Sequence, residues 1–140
     1  MNKKKGFGLV TAIILAAILL VLGAAAAKIV YHRLNGAQLL LEREAAFWLA
    51  EGGWEQAKIE LTHNLNWYSD LPHYPEDDGE WLKRDAIGCK MAIGEGEVKI
   101  IREKDKQRVY TVGKSKRGVV VIRYDYAVFP LKLVQWQELW

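Results

Sequence analysis

Hydrophobic and polar positions are distributed along this chain in three different ways, and each way predicts a different element. Residues 7–27 form an uncharged run of 21 residues, nearly all of them Leu, Ile, Val, Ala or Gly. As a helix such a run is about 32 Å long, against about 30 Å for the hydrocarbon core of a bilayer. Farther along, Leu40, Phe47, Ala50, Trp54, Ala57, Leu61 and Leu65 recur at spacings of 7, 3, 4, 3, 4 and 4, which trace one helical face. Glu51, Glu55 and Lys58 fall off that stripe and read as its solvated side, with Glu55 and Lys58 as a weak i,i+3 pair. No proline occurs before Pro72. The two patterns therefore predict one helix of about 55 to 60 residues, half embedded in lipid and half packed on a domain.

Gly23, Gly36 and the pair Gly52-Gly53 interrupt this helix, each at a cost of about 1 kcal/mol relative to Ala; they allow bending or the close approach of a neighbour. Asn64, Asn66, Ser69 and Asp70, followed by Pro72 and Pro75, predict its end within 66–70. Residues 69–96 read as an irregular connection. After Gly94 the period changes to 2, and segments 97–102, 108–112, 119–128 and 131–136 are rich in Val, Ile and Tyr and separated by polar turns or by Pro130. These predict an antiparallel meander. In the third of them Val120, Ile122, Tyr124, Tyr126 and Val128 share one face, while Arg123 and Asp125 point the other way. One face is thus expected to be wet and the other covered by the striped half of the helix, through Phe47, Trp54 and Leu61. The expected fold class is α+β: a long N-terminal helix, its N-terminal half transmembrane, packed on a C-terminal antiparallel sheet of about four strands. Along the chain this divides into a leader at 1–6, a transmembrane half-helix at 7–27, an exposed half-helix at 28–68, the connection at 69–96 and the sheet at 97–140.

Composition narrows the chemistry. A single cysteine among 140 residues excludes an intrachain disulfide framework and a zinc ribbon. Cys89, beside Met91, reads as a small buried hydrophobe before it reads as a nucleophile. His32, His63 and His73 lack H-E-x-x-H spacing, and neither G-x-S-x-G nor a phosphate-binding Gly-rich loop is present. No catalytic, cofactor or metal residue is expected, and the chain reads as a non-enzyme. The acidic cluster Glu76, Asp77, Asp78 and Glu80 around Gly79 could cradle calcium, but it lacks the order of an EF-hand loop and reads better as a solvated loop.

The net charge is +3, and it depends on Lys3, Lys4 and Lys5. By the positive-inside rule these lysines stay cytoplasmic, which sends everything after Ala27 outside. Three readings compete for the apolar run. A secretory signal peptide would be cut near Ala24–Ala27. A plain single-pass anchor is the simplest alternative. The third starts from Lys5-Gly6-Phe7 at the cytoplasmic junction and from the helical sequence that continues past Ala27, for which a signal peptide has no use.

Lys5-Gly6-Phe7 before an unbroken apolar helix resembles the processing site of type IV prepilins and pseudopilins. More specifically, residues 6–22, then Ala45-Ala46-Phe47 and Ala50-Glu51-Gly52-Gly53, are similar to the amino-terminal region of PilX-type minor pilins. Val109-Tyr110-Thr111-Val112-Gly113, residues 119–128 and Val134-Gln135-Trp136-Gln137-Glu138 resemble their closing strands and Trp-x-Glu ending. The resemblance implies a minor pilin or pseudopilin. A membrane prepilin peptidase would cut after Gly6 and methylate Phe7, and the chain would pass from the bacterial cytoplasmic membrane into a fibre with other subunits. Thr11 would be the fifth mature residue, where major pilins usually place a glutamate that pairs with a neighbour's amino terminus. Thr11 cannot form that pair, but its hydroxyl can bond back to a helix carbonyl. Members without the glutamate are implied to prime or cap the fibre, or to be scattered sparsely along it.

Charge blocks suggest a second class of function. Residues 42–97 carry 13 acidic and 5 basic side chains, and residues 99–123 carry 9 basic and 2 acidic ones. Opposite blocks fit head-to-tail contact between subunits. Alternatively Lys99, Arg102, Lys104, Lys106, Arg108, Lys114, Lys116 and Arg117 form a basic surface for DNA or an acidic cell surface, or simply a protected sheet edge.

Overall fold

The computed structural model describes residues 3–69 and 77–139. Helix α1 runs from Lys3 to His63 without a break at any of its glycines. It stops short of the expected 66–70, where the Asn64 side chain competes for the backbone: Asn66 N–H donates to the Asn64 side chain at 3.0 Å. Two compact units divide the chain, residues 1–38 and 39–140. The described part of the first is α1 over residues 3–38, with exposed Leu, Ile and Val side chains from Leu9 onward.

In the second unit a short helix α2 (Gly79–Leu82) precedes five antiparallel strands: β1 (Cys89–Ile93), β2 (Gly96–Ile101), β3 (Arg108–Ser115), β4 (Gly118–Val128) and β5 (Leu131–Glu138). The sheet is a meander in chain order, and α1 packs on it. The fold is α+β as expected, with five strands in place of four. The additional strand is β1, inside the stretch read as an irregular connection, so the sheet begins at Cys89 and not at residue 97. Its pairing with β2 places Ile93 opposite Gly96 across the two-residue turn Gly94-Glu95. Gly94 has φ of +59°, which a glycine adopts without steric cost.

The helix lies close to the sheet because both surfaces are small where they meet. Ala46, Ala50 and Ala57 are completely buried. A Cβ on Gly113 would stand 1.9 Å from the Ala46 carbonyl oxygen, and one on Gly118 would stand 2.3 Å from that of Glu42. Around this seam Trp54, Leu61, Ile100, Val109, Val120, Ile122, Tyr124 and Tyr126 form the main core. Trp54 stacks on Tyr124 at 4.9 Å between ring centres. Of the predicted stripe, Ala50, Trp54, Ala57 and Leu61 are buried and Phe47 partly so, whereas Leu40 and Leu65 are exposed.

The opposite face of the sheet is not simply wet. Leu82, Ile101, Tyr110, Val112 and Val121 form a second buried cluster there, joined by Ile87 and Leu139. Leu82 belongs to α2, whose N-cap Asp78 accepts hydrogen bonds from the backbone N–H groups of Glu80 and Trp81. The connection before β1 and the residue after β5 therefore cover apolar side chains that alternation in β4 alone did not reveal.

Candidate processing and assembly sites

Gly6 and Phe7 lie within the opening turns of α1, and the Phe7 side chain is 78% exposed. The Thr11 hydroxyl donates to the Phe7 carbonyl at 2.9 Å, the i,i−4 bond that its position allows. That bond returns the hydroxyl to its own helix. α1 is long and apolar enough to cross a membrane, and none of its most apolar window is buried against protein.

Within residues 39–140 the outer side of α1 also keeps apolar residues without cover. Trp48 is 64% exposed and lines a groove of about 460 Å3 with Ala45, Leu49, Gly52 and Ile93. The groove lies between the helix and the β1–β2 turn with the end of β3. An exposed tryptophan beside such an apolar groove is a surface of the kind that neighbouring chains cover.

The basic residues are not gathered into one free cationic surface. Lys99 is buried and its ammonium donates to the Arg84 carbonyl at 2.6 Å. Arg102 is buried too, donating from Nε to the Tyr126 hydroxyl at 2.7 Å. Lys104 lies over the Tyr68 ring. Lys106 pairs with Glu103 at 3.6 Å, Arg108 with Asp125 at 2.6 Å, Lys116 with Glu95 at 3.7 Å and Arg117 with Glu42 at 3.2 Å. Lys114 is exposed beside a small cavity that Lys83, Lys99, Asp85 and Glu97 also line. Hydrogen bonding to Asp125 raises the Arg108 pKa above its ordinary value. The acidic block of 42–97 thus folds in part against the basic block of 99–123, through Glu42, Asp77 and Glu95.

Other candidate ligands are committed elsewhere. Asp77 bonds Arg123 and the Tyr110 hydroxyl, and Asp78 caps α2; Glu76 lies outside the described residues. Among the described residues no group of three His, Cys, Asp or Glu side chains could hold a metal ion. His32 and His63 are exposed, and His73 lies outside the described residues. Cys89 is exposed, contrary to the expectation of a buried hydrophobe. The cause is β1: as an edge strand it has α1 over neither Cys89 nor Met91.

Sequence reasoning missed two features. The Trp48 groove was signalled by Ala45, Trp48 and Gly52, which share a helical face outside the chosen stripe. The Glu51 carboxylate accepts the Tyr124 hydroxyl at 3.0 Å, and no local pattern links residues that far apart in sequence. Burial and the Glu51 carboxylate together push the Tyr124 phenol well above the ordinary tyrosine range. Comparison with family models, curated proteins and solved structures finds no match.

Proposed function

We propose that this chain is a minor type IV pilin or pseudopilin, inserted in a bacterial cytoplasmic membrane with residues after the apolar run outside, cleaved after Gly6 and assembled into a fibre or its initiating complex. The observation that carries this reading is α1 itself. One helix holds Lys5-Gly6-Phe7 at its start, an exposed apolar run next, and a small-residue face packed on an antiparallel sheet at its end. A secreted protein with a cleaved signal has no need of that continuity.

The work of such a subunit is packing, not bond chemistry. Lipid contacts of Ala16, Ala17, Ile18 and their neighbours are exchanged for similar helices of other subunits, and small side chains let the backbones approach. The partners are then the prepilin peptidase, the membrane and other pilin subunits, the last also covering the groove beside Trp48.

Gly6→Val tests this reading. A branched side chain should not fit a peptidase slot shaped for glycine, so the variant is expected to remain in the membrane at precursor mass and to be missing from sheared fibres. Processing and release at wild-type level would overturn it.

A further inference from the structure

Just past the apolar run, α1 carries a short polar band in which Lys28, Tyr31, His32 and Arg33 are all exposed. Lys28 and His32 stand at i and i+4 with Tyr31 beside them on the same helical face, and Arg33 lies about 140° round the helix from Lys28. The Tyr31 and His32 rings meet edge to face at 6.2 Å. The unit of residues 1–38 contains no Asp or Glu, so Lys28 and Arg33 have no carboxylate within it.

With residues 7–27 spanning the hydrocarbon core as proposed above, Lys28 falls at the outer edge of that core and Arg33 about 9 Å beyond Ala27 along the helix. The headgroup layer on each side of a bilayer is about 5–8 Å thick, so the two cations bracket it. A lysine stem can lie along the apolar boundary while its ammonium reaches the phosphates, and tyrosine favours the same depth. Basic residues directly outside a span run against the positive-inside preference and weaken the orientation that Lys3, Lys4 and Lys5 set. A contact at the outer surface that needs positive charge accounts for keeping them. A zwitterionic headgroup carries its own ammonium beside the phosphate, whereas an anionic one leaves the phosphate charge unanswered and complements two cations without a carboxylate. We propose that Lys28 and Arg33 bind the headgroups of anionic phospholipids in the outer leaflet by charge-assisted hydrogen bonds to phosphate oxygens, with the His32 ring N–H and the Tyr31 hydroxyl as further donors. This collar rests on the proposed membrane placement, but not on cleavage or fibre assembly. A chain leaving lipid for a fibre has to give up these headgroups, so the collar opposes its extraction.

The test reconstitutes the full chain in phosphatidylcholine vesicles and reads, by electron spin resonance, how much trace spin-labelled phosphatidylglycerol or phosphatidylcholine is immobilised at the protein. Lys3, Lys4 and Lys5 are first changed to Gln, so that the other end of the span contributes no lysine. In that background phosphatidylglycerol should be favoured about fivefold, the equivalent of one cation held near an anionic surface, and the preference should shrink at high salt. Adding Lys28→Gln and Arg33→Gln should abolish the preference while phosphatidylcholine is immobilised as before, which shows that the helix still inserts. Equal immobilisation of the two lipids before that change, or an undiminished preference after it, would overturn the collar and leave the membrane placement standing. So would a loss of self-association in phosphatidylcholine as the only effect of the change, which would assign both cations to carboxylates of a neighbouring chain. Immobilisation of neither lipid would overturn the collar and the membrane placement together.

Discussion

Tyr124 is held by three neighbours at once: Trp54 stacks on its ring, Glu51 accepts its hydroxyl, and the sheet removes it from water. Burial first, and the Glu51 carboxylate next, disfavour the phenolate in the folded chain. The unfolded chain releases this proton near pH 10. Between that pH and the raised folded value the folded state binds more protons, so stability is intact below about pH 10 and falls as pH rises further. Burial raises Tyr110 and Tyr126 in the same direction. Thermal unfolding followed by circular dichroism should therefore show a midpoint that drops above about pH 10. Tyr124→Phe should make that drop shallower and cost about 2 kcal/mol at neutral pH through the lost bond to Glu51. Thr11 gives a second test at this scale. With its hydroxyl spent on Phe7, it offers no charge to a neighbour's amino terminus, which fits a place where no such charge is required. Gold labelling of sheared fibres should then mark mainly their ends. Thr11→Glu should lower assembly, because it places a carboxylate about 6 Å inside the apolar segment without a partner charge. Gold spaced evenly along the shaft, or an unimpaired variant, would contradict this placement.

Adjacent glycines in α1 have opposite roles, which makes the helix-sheet seam testable. A Cβ on Gly52 would meet nothing within 4 Å, whereas one on Gly53 would come within 2.7 Å of Val98 Cγ2. Gly52→Ala should stabilise the fold by up to about 1 kcal/mol, and Gly53→Ala should destabilise it by about 1–3 kcal/mol. Denaturant titration checks both, and equal effects would mean that the seam is looser than described. The seam was only partly legible in the sequence. The stripe identified Ala50, Trp54, Ala57 and Leu61 because burial against a sheet leaves a helical period, but Gly53 lies beside that stripe and carries no side chain for a pattern to count. β1 escaped for a related reason: Cys-Lys-Met-Ala-Ile has few residues of strong strand propensity, and an edge strand is not required to alternate cleanly. Leu82 and Leu139 were invisible as core because their partners across the sheet, Ile101, Tyr110 and Val121, are distant in sequence.

At the scale of the whole molecule, the chain combines an uncovered apolar helix with a sheet domain whose charges largely answer one another. The sequence suggested opposite charge blocks facing outward. Ion pairs such as Arg117 with Glu42 and Lys116 with Glu95 turn part of that contrast inward, because antiparallel turns bring the basic hairpin ends next to the acidic helix and the β1–β2 turn. Recognition is then left chiefly to apolar surface: the segment after Phe7 and the groove at Trp48. Both fit the proposed subunit that leaves lipid for a bundle of similar helices, and the first depends on where the mature chain begins. Intact-mass and amino-terminal peptide mass spectrometry of the protein recovered from membranes and sheared fibres measures this most directly. Processing as a prepilin gives a chain starting at Phe7 and carrying one added methyl group; a chain starting near Lys28, after removal of the apolar run, would rule that processing out.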